Sequence, residues 1–203
     1  MTQYKAYVPI SFLNILTRYI DEQTLEAKSL RKTLLELSKG QRVDTQTFSQ
    51  LLDQIYQLTP LSALGLRIGA MAKPEDFGLV GNLLTSCSTL KQALIRYGRY
   101  QTLVLTDLAA KIEIQGKTYS HQWMLRGVDN QLLYEFGLII FITLYQSLIN
   151  RKIAPVSVAL PIKQPNDINI YQAILGCPVE FNSPTLRVNI PTYLMLLNIS
   201  TSD

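Results

Sequence analysis

Apolar residues recur at helical spacing through the first sixty positions. Phe12, Ile15, Leu16, Tyr19 and Ile20 form one stripe behind Pro9, a residue that suits a first helical turn. A more polar helix is predicted over Thr24 to Ser38, with Gly40 beyond it as a stop. Asp44 or Thr45 can cap a third helix, whose buried stripe is Phe48, Leu51, Leu52, Ile55 and Leu58 and which Pro60 ends. The N-terminal part, about 1–60, is thus expected to be helical throughout. A glycine-rich stretch follows. Ser86 or Ser88 then caps a helix with Leu90, Ala93, Leu94 and Tyr97 inward and Gln92, Arg96 and Arg99 on a polar face.

Beyond this helix the period drops from 3.6 to 2. Lys111 to Gln115 alternates, as does Thr118 to Arg126, and Gly116-Lys117 between them fits a tight hairpin turn. Tyr119, His121, Trp123 and Leu125 share one face of the second strand, and Met124 and Arg126 share the other. Gln131 to Asn150 reads as one long helix, apolar nearly all round and so covered on several sides. Val156 to Leu160 is a short strand, Asp167 caps a helix closed by Gly176, Leu186 to Ile190 alternates, and Pro191 starts a last short helix. The expected class is α+β: a mainly helical domain with a small, mostly antiparallel sheet packed against helices, and not a β-barrel. One domain is expected over 1–199, with 200–203 as a linker or cut end.

Composition narrows the class. Of 203 residues 47% are hydrophobic and 17% charged, so a sizeable core is expected rather than disorder. The net charge of +4 is too small to argue for nucleic acid, and Lys28, Arg31 and Lys32 alternate with acids as on a solvated helix face. Cys87 and Cys177 are far apart, outside any metal or redox spacing, and read as free buried thiols. The N-terminus lacks the apolar run of a signal peptide. Leu132 to Ile149 carries Glu135, Gln146 and Ser147, so a buried core helix is expected there rather than a membrane span.

Candidate chemistry is sparse. A triad or metal site would have to be built around one histidine, His121, for which a structural or pocket-lining role is expected. Asp76-Phe77-Gly78 has no phosphate loop or catalytic loop to accompany it, and Gly65-Leu-Arg-Ile-Gly69 is no dinucleotide fingerprint. No catalytic residue, metal ligand or cofactor site is read from the chain, and an enzyme is not expected. The glycines instead permit unusual backbone angles or close backbone approach. Arg67 lies in an otherwise apolar segment, and a buried charge needs a partner. Glu135, the lone acid of the long apolar helix, is the expected partner in a structural ion pair. Tyr97, Tyr100, Tyr119, His121, Trp123 and Tyr134 gather polar-tipped aromatics in the centre of the chain, as a small-molecule pocket would need. Arg67, Tyr97, Tyr100, His121, Trp123 and Arg126 are the candidate ligand contacts.

Three blocks carry a family resemblance. They are Gly65-Leu-Arg-Ile-Gly69 with Asp76-Phe-Gly-Leu-Val-Gly81, then Ser88-Thr-Leu-Lys-Gln-Ala-Leu-Ile-Arg-Tyr97, then Pro155-Val-Ser-Val-Ala159 with Tyr171-Gln-Ala-Ile-Leu-Gly-Cys-Pro-Val-Glu-Phe181. In order and spacing these blocks resemble the N-terminal sensor domain, labelled "arabinose-binding", of AraC-type transcription regulators of the ornithine-utilisation-regulator-like branch. The resemblance implies a cytoplasmic effector-binding and dimerisation domain that controls an attached C-terminal helix-turn-helix domain, which this chain lacks. DNA would be bound only through that missing domain, and no membrane is involved. The implied partners are a second copy of the chain and a small effector, carboxylate-bearing or amphipathic. The alternative is a protein-interaction module that dimerises without a ligand.

Overall fold

The computed structural model describes residues 6–104, 108–125 and 129–200, with side chains described throughout except at 102–109 and 125–128. The first sixty positions are not helical throughout. Strands β1 (Tyr7–Pro9) and β2 (Arg42–Asp44) pair antiparallel, Val8 opposite Val43, and tie down the helices α1 (Phe12–Glu22) and α2 (Lys28–Leu37). Strands of three residues are too short to show alternation, which is why a helical reading covered them. Helix α3 (Thr45–Leu58) is capped by Asp44, whose carboxylate accepts from the Thr47 N–H at 2.9 Å and the Thr47 hydroxyl at 2.7 Å.

The glycine-rich stretch is largely helical. It holds α4 (Leu64–Gly69), a 3-10 turn at Pro74–Phe77 and α5 (Gly78–Thr85), and leads into α6 (Leu90–Val104). At the start of α6, Thr89 rather than either serine holds the Gln92 N–H, at 3.4 Å, while the Gln92 side chain accepts from the Ser88 N–H at 3.1 Å.

After α6 come the hairpin strands β3 (Leu108–Gln115) and β4 (Thr118–Leu125), joined through Gly116 at φ +56°. The spine of the molecule is α7 (Gln131–Ile149). Asn130 caps its start by accepting from the Leu133 N–H at 2.9 Å, and Asn150, at φ +49°, ends it. Then follow β5 (Ser157–Ala159), α8 (Ile168–Leu175), β6 (Val179–Glu180), β7 (Leu186–Pro191) and a 3-10 turn at Thr192–Leu196.

The expectation of a small, mostly antiparallel sheet is overturned. The main sheet has five strands in the order β3-β4-β7-β5-β6 and is mixed, because β6 runs parallel to β5. The unforeseen strand, β6, is two residues long and follows α8 in a crossover, so neither alternation nor a turn signal marks it. The two-stranded β1-β2 sheet is separate, and the described strands close no barrel.

Helix α7 lies between this sheet and the N-terminal helices. Phe136 packs on Phe12 and Phe48 with ring centroids 5.5 and 5.1 Å away, which joins α1 and α3 to the spine. Helix α4 crosses α7 at backbone contact. A Cβ on Gly65 would lie 2.2 Å from the Leu132 carbonyl oxygen, and one on Gly69 would lie 2.4 Å from the Ile139 side chain. Only glycine lets two helices approach so closely. Gln131–Ile149 is also a helix long and apolar enough to cross a membrane, but 78% of its most apolar window is buried in the molecule, as expected of a core helix. Cys87 and Cys177 are both free and buried, in line with the sequence.

Candidate functional site

The alternation of β4 delivers Tyr119, His121 and Trp123 to the face covered by α6 and α7. His121 has no exposed surface. Its ring stacks on the Trp123 indole at 4.3 Å and 16°, and the Phe141 ring of α7 stands edge-on to both, 5.0 and 4.8 Å away. Tyr97 of α6 closes the group at 5.7 Å from the imidazole. Gln101 of α6 supplies the polar centre. Its side-chain oxygen accepts from Trp123 Nε1–H at 3.0 Å and from His121 Nε2–H at 3.3 Å. Its amide nitrogen donates to the Gly98 carbonyl at 3.1 Å. An amide oxygen can only accept, so His121 carries its proton on Nε2, and Nδ1 accepts from the Tyr119 hydroxyl at 3.2 Å.

This network holds a neutral histidine. Burial lowers the His121 pKa to about 3, and raises the Tyr97 and Tyr119 hydroxyls well above the ordinary tyrosine range. The consequence for stability has a definite sign. The folded pKa lies below the unfolded value of about 6.5, so the neutral-histidine contribution is full above that value and is lost as pH falls towards 3. Comparing urea denaturation of the protein with that of His121→Gln should show the difference shrinking by up to about 1.4 kcal/mol per pH unit below pH 6. A difference that stays flat from pH 7 to 4 would place His121 in water.

The structure divides the candidate contacts. Tyr97, His121 and Trp123 come together, whereas Tyr100 is 40% exposed on α6 and Arg126 lies outside the described residues. Arg67 and Glu135 do not pair. In a helix, residue 67 faces away from 65 and 69, so the glycines that press α4 onto α7 turn Arg67 to solvent. Its Nε–H donates to the Ser62 carbonyl at 3.0 Å. Glu135 is fully buried and is satisfied without a cation. Its carboxylate accepts from the Gly65 N–H at 2.9 Å, from Gln131 Nε2 at 2.8 Å and from the Tyr171 hydroxyl. Burial raises its pKa, and these hydrogen bonds oppose the rise.

The sequence left Gln101 unnoticed, since one glutamine turned inward on a polar-faced helix carries no pattern. Asp76 was noticed but left without a role. It is buried and accepts from Arg18 Nη1 at 2.9 Å and from the Lys73 N–H at 2.8 Å, which pins the 3-10 turn to α1. Beside that turn runs a groove of about 550 Å³. Pro74, Glu75 and Phe77 form one wall with Gly81, Asn82, Thr85 and Ser86, and Leu144, Ser147 and Leu148 of α7 form the other, with Ser200 at the edge. Arg96 donates to Ser86 Oγ and to the Leu83 carbonyl, both at 2.9 Å, and so places a positive charge next to the groove. Among the described residues no cluster of His, Cys, Asp and Glu could hold a metal ion.

No curated protein sequence matches the chain. Among solved structures it is similar to the transcriptional regulator CdpR from Pseudomonas aeruginosa, with a TM-score of 0.69 and 18% identity over 100% of this chain. At that identity the likeness establishes the fold. The chain spans 60% of the length of that regulator. Residues 21–197 match the family model described as the arabinose-binding domain of AraC transcription regulators, N-terminal, and the chain belongs to that family.

Proposed function

We propose that this is the effector-binding and dimerisation domain of a bacterial AraC-type regulator, acting in the cytoplasm on an attached DNA-binding domain. The observation that carries the reading is the groove between the Pro74–Phe77 turn and α7. Its volume of about 550 Å³ is that of a small-molecule site, and its edge includes Ser200, near the C-terminal end of the described chain. An effector seated there touches α5, α7 and the segment leading out of the domain together. It would therefore favour one arrangement of whatever follows, by population shift. Phe77, Leu144 and Leu148 offer apolar contact, while the Ser147 and Ser200 hydroxyls, the Asn82 amide and the adjacent Arg96 offer polar contact. This chemistry suits an amphipathic effector with a carboxylate at the Arg96 end. In this reading His121 and Trp123, with Tyr97 packed against them, form the framework that fixes α6 and α7 on the sheet, because the polar atoms of Tyr119, His121, Trp123 and Gln101 satisfy one another.

A thermal-shift panel of amino acids, short carboxylic acids and fatty acids tests the proposal. A true effector at one hundred times its Kd adds about 2.7 kcal/mol, or roughly 5–10 °C for a chain of this size. Ser147→Phe, which fills the groove from α7, should melt like the parent and lose the shift. A panel with no response, or a response that survives in Ser147→Phe, would remove the groove from consideration.

A further inference from the structure

One edge of the main sheet is β3, eight residues long, and among the described residues no strand pairs with its outer side. Ile112 and Ile114 lie opposite His121 and Tyr119, so they belong to the covered face of the sheet. Yet they are 39% and 58% exposed. A long edge strand with exposed isoleucines is a template for another strand.

The free main-chain groups can be identified. The Lys117 carbonyl accepts from the Thr192 N–H at 2.9 Å, on the β7 side. Main-chain groups alternate along a strand, so Thr118, Ser120 and Gln122 turn theirs towards β3. Their opposite residues Gln115, Glu113 and Lys111 bond inward, and Ala110, Ile112 and Ile114 direct N–H and C=O outward.

We propose that β3 pairs antiparallel with β3 of a second copy, about a two-fold axis through Ile112. The proposal rests on the reading that the domain dimerises, and it names the surface. In this register Ile112 faces Ile112 of the partner subunit, Ala110 faces the partner's Ile114, and Lys111 faces the partner's Glu113. The outward groups form about six main-chain hydrogen bonds, and the sheet runs through both copies. Centring the axis on Lys111 instead sets lysine against lysine, and centring it on Glu113 sets glutamate against glutamate. All three registers satisfy the main chain equally. Charge alone selects the one at Ile112, where the Lys-Ile-Glu core of the strand is self-complementary.

Charge swapping tests it. The parent should sediment as a dimer. Glu113→Lys sets lysines against lysines and should weaken the dimer roughly thirtyfold. The double variant Lys111→Glu/Glu113→Lys keeps the pairing within the strand, where Lys111 Nζ lies 2.5 Å from Glu113 Oε1, and should restore the parent affinity. Mixed with the parent, the double variant brings like charges together, so labelled subunits should sort into homodimers. Unchanged far-ultraviolet circular dichroism spectra certify the folds of both variants. A parent that stays monomeric overturns the dimer reading along with the strand. A dimer indifferent to Glu113→Lys, or parent and double variant that exchange freely, overturns the strand while leaving dimerisation standing.

Discussion

Replacing Gly65 by alanine should cost about 3 kcal/mol, lowering the melting midpoint by roughly 6–12 °C. The added Cβ would stand 2.2 Å from the Leu132 carbonyl oxygen and 2.7 Å from the Glu135 Cβ. The first obstacle is backbone inside the central helix and cannot rotate aside. Helices α4 and α7 must separate, and the hydrogen bond from the Gly65 N–H to Glu135 stretches with them. Alanine's better helix propensity returns at most about 1 kcal/mol. Gly69→Ala is the control. There the nearest atom is the Ile139 Cγ2 at 2.4 Å, on a β-branched side chain that is stiff in a helix, and the nearest backbone atom, the Phe136 carbonyl oxygen, is 3.2 Å away. Its cost should be smaller than that at Gly65, because no backbone atom stands within 3.0 Å of the added Cβ. Equal losses in urea denaturation would mean that side-chain volume, and not backbone approach, governs this crossing.

Glu135→Ala should cost about 4 kcal/mol, and Glu135→Gln under about 1.5 kcal/mol at pH 7. Alanine leaves the Gly65 N–H, the Gln131 amide and the Tyr171 hydroxyl, all aimed into a buried site, without their shared acceptor. Glutamine keeps an acceptor oxygen and removes the charge that burial penalises. The two also differ in how they change with pH. The folded pKa of Glu135 is raised, so its contribution is full below the unfolded value of about 4.3 and is lost as pH rises through the folded value. The parent should therefore gain on Glu135→Gln as the solution is acidified. Loss of advantage on acidification would show that the hydrogen bonds outweigh burial.

The periodic elements were legible. The stripe of α3 from Phe48 to Ile55, the hairpin through Gly116-Lys117 and the alternation of β7 all stand where the pattern put them, whereas Leu58, at the end of that stripe, is exposed. The sharing of one face by Tyr119, His121 and Trp123 was also readable from strand parity. Helix α4 was not. Two glycines in six residues lower helix propensity, so no helix is legible across the segment and Arg67 reads as a buried charge. Once the segment is helical, the spacing of four between the glycines becomes a contact stripe, and Arg67 falls on its far side. Glu135 reads from the sequence as the ion-pair partner of Arg67, but its partners are neutral groups. Two of them, Gly65 and Tyr171, lie 70 and 36 positions away, a distance no local pattern spans.

That distance also bears on how the chain is made. Helix α4 emerges from the ribosome with a bare glycine face, and the residues that cover it are translated some seventy positions later. At about 5–20 residues per second the delay is roughly 4–14 s. Through that interval Leu64, Leu66 and Ile68 have no α7 to bury them, and the N-terminal helices wait as an unfinished half. Nascent-chain handling, more than the finished fold's equilibrium stability, is where a cell would first notice a change in this helix pair.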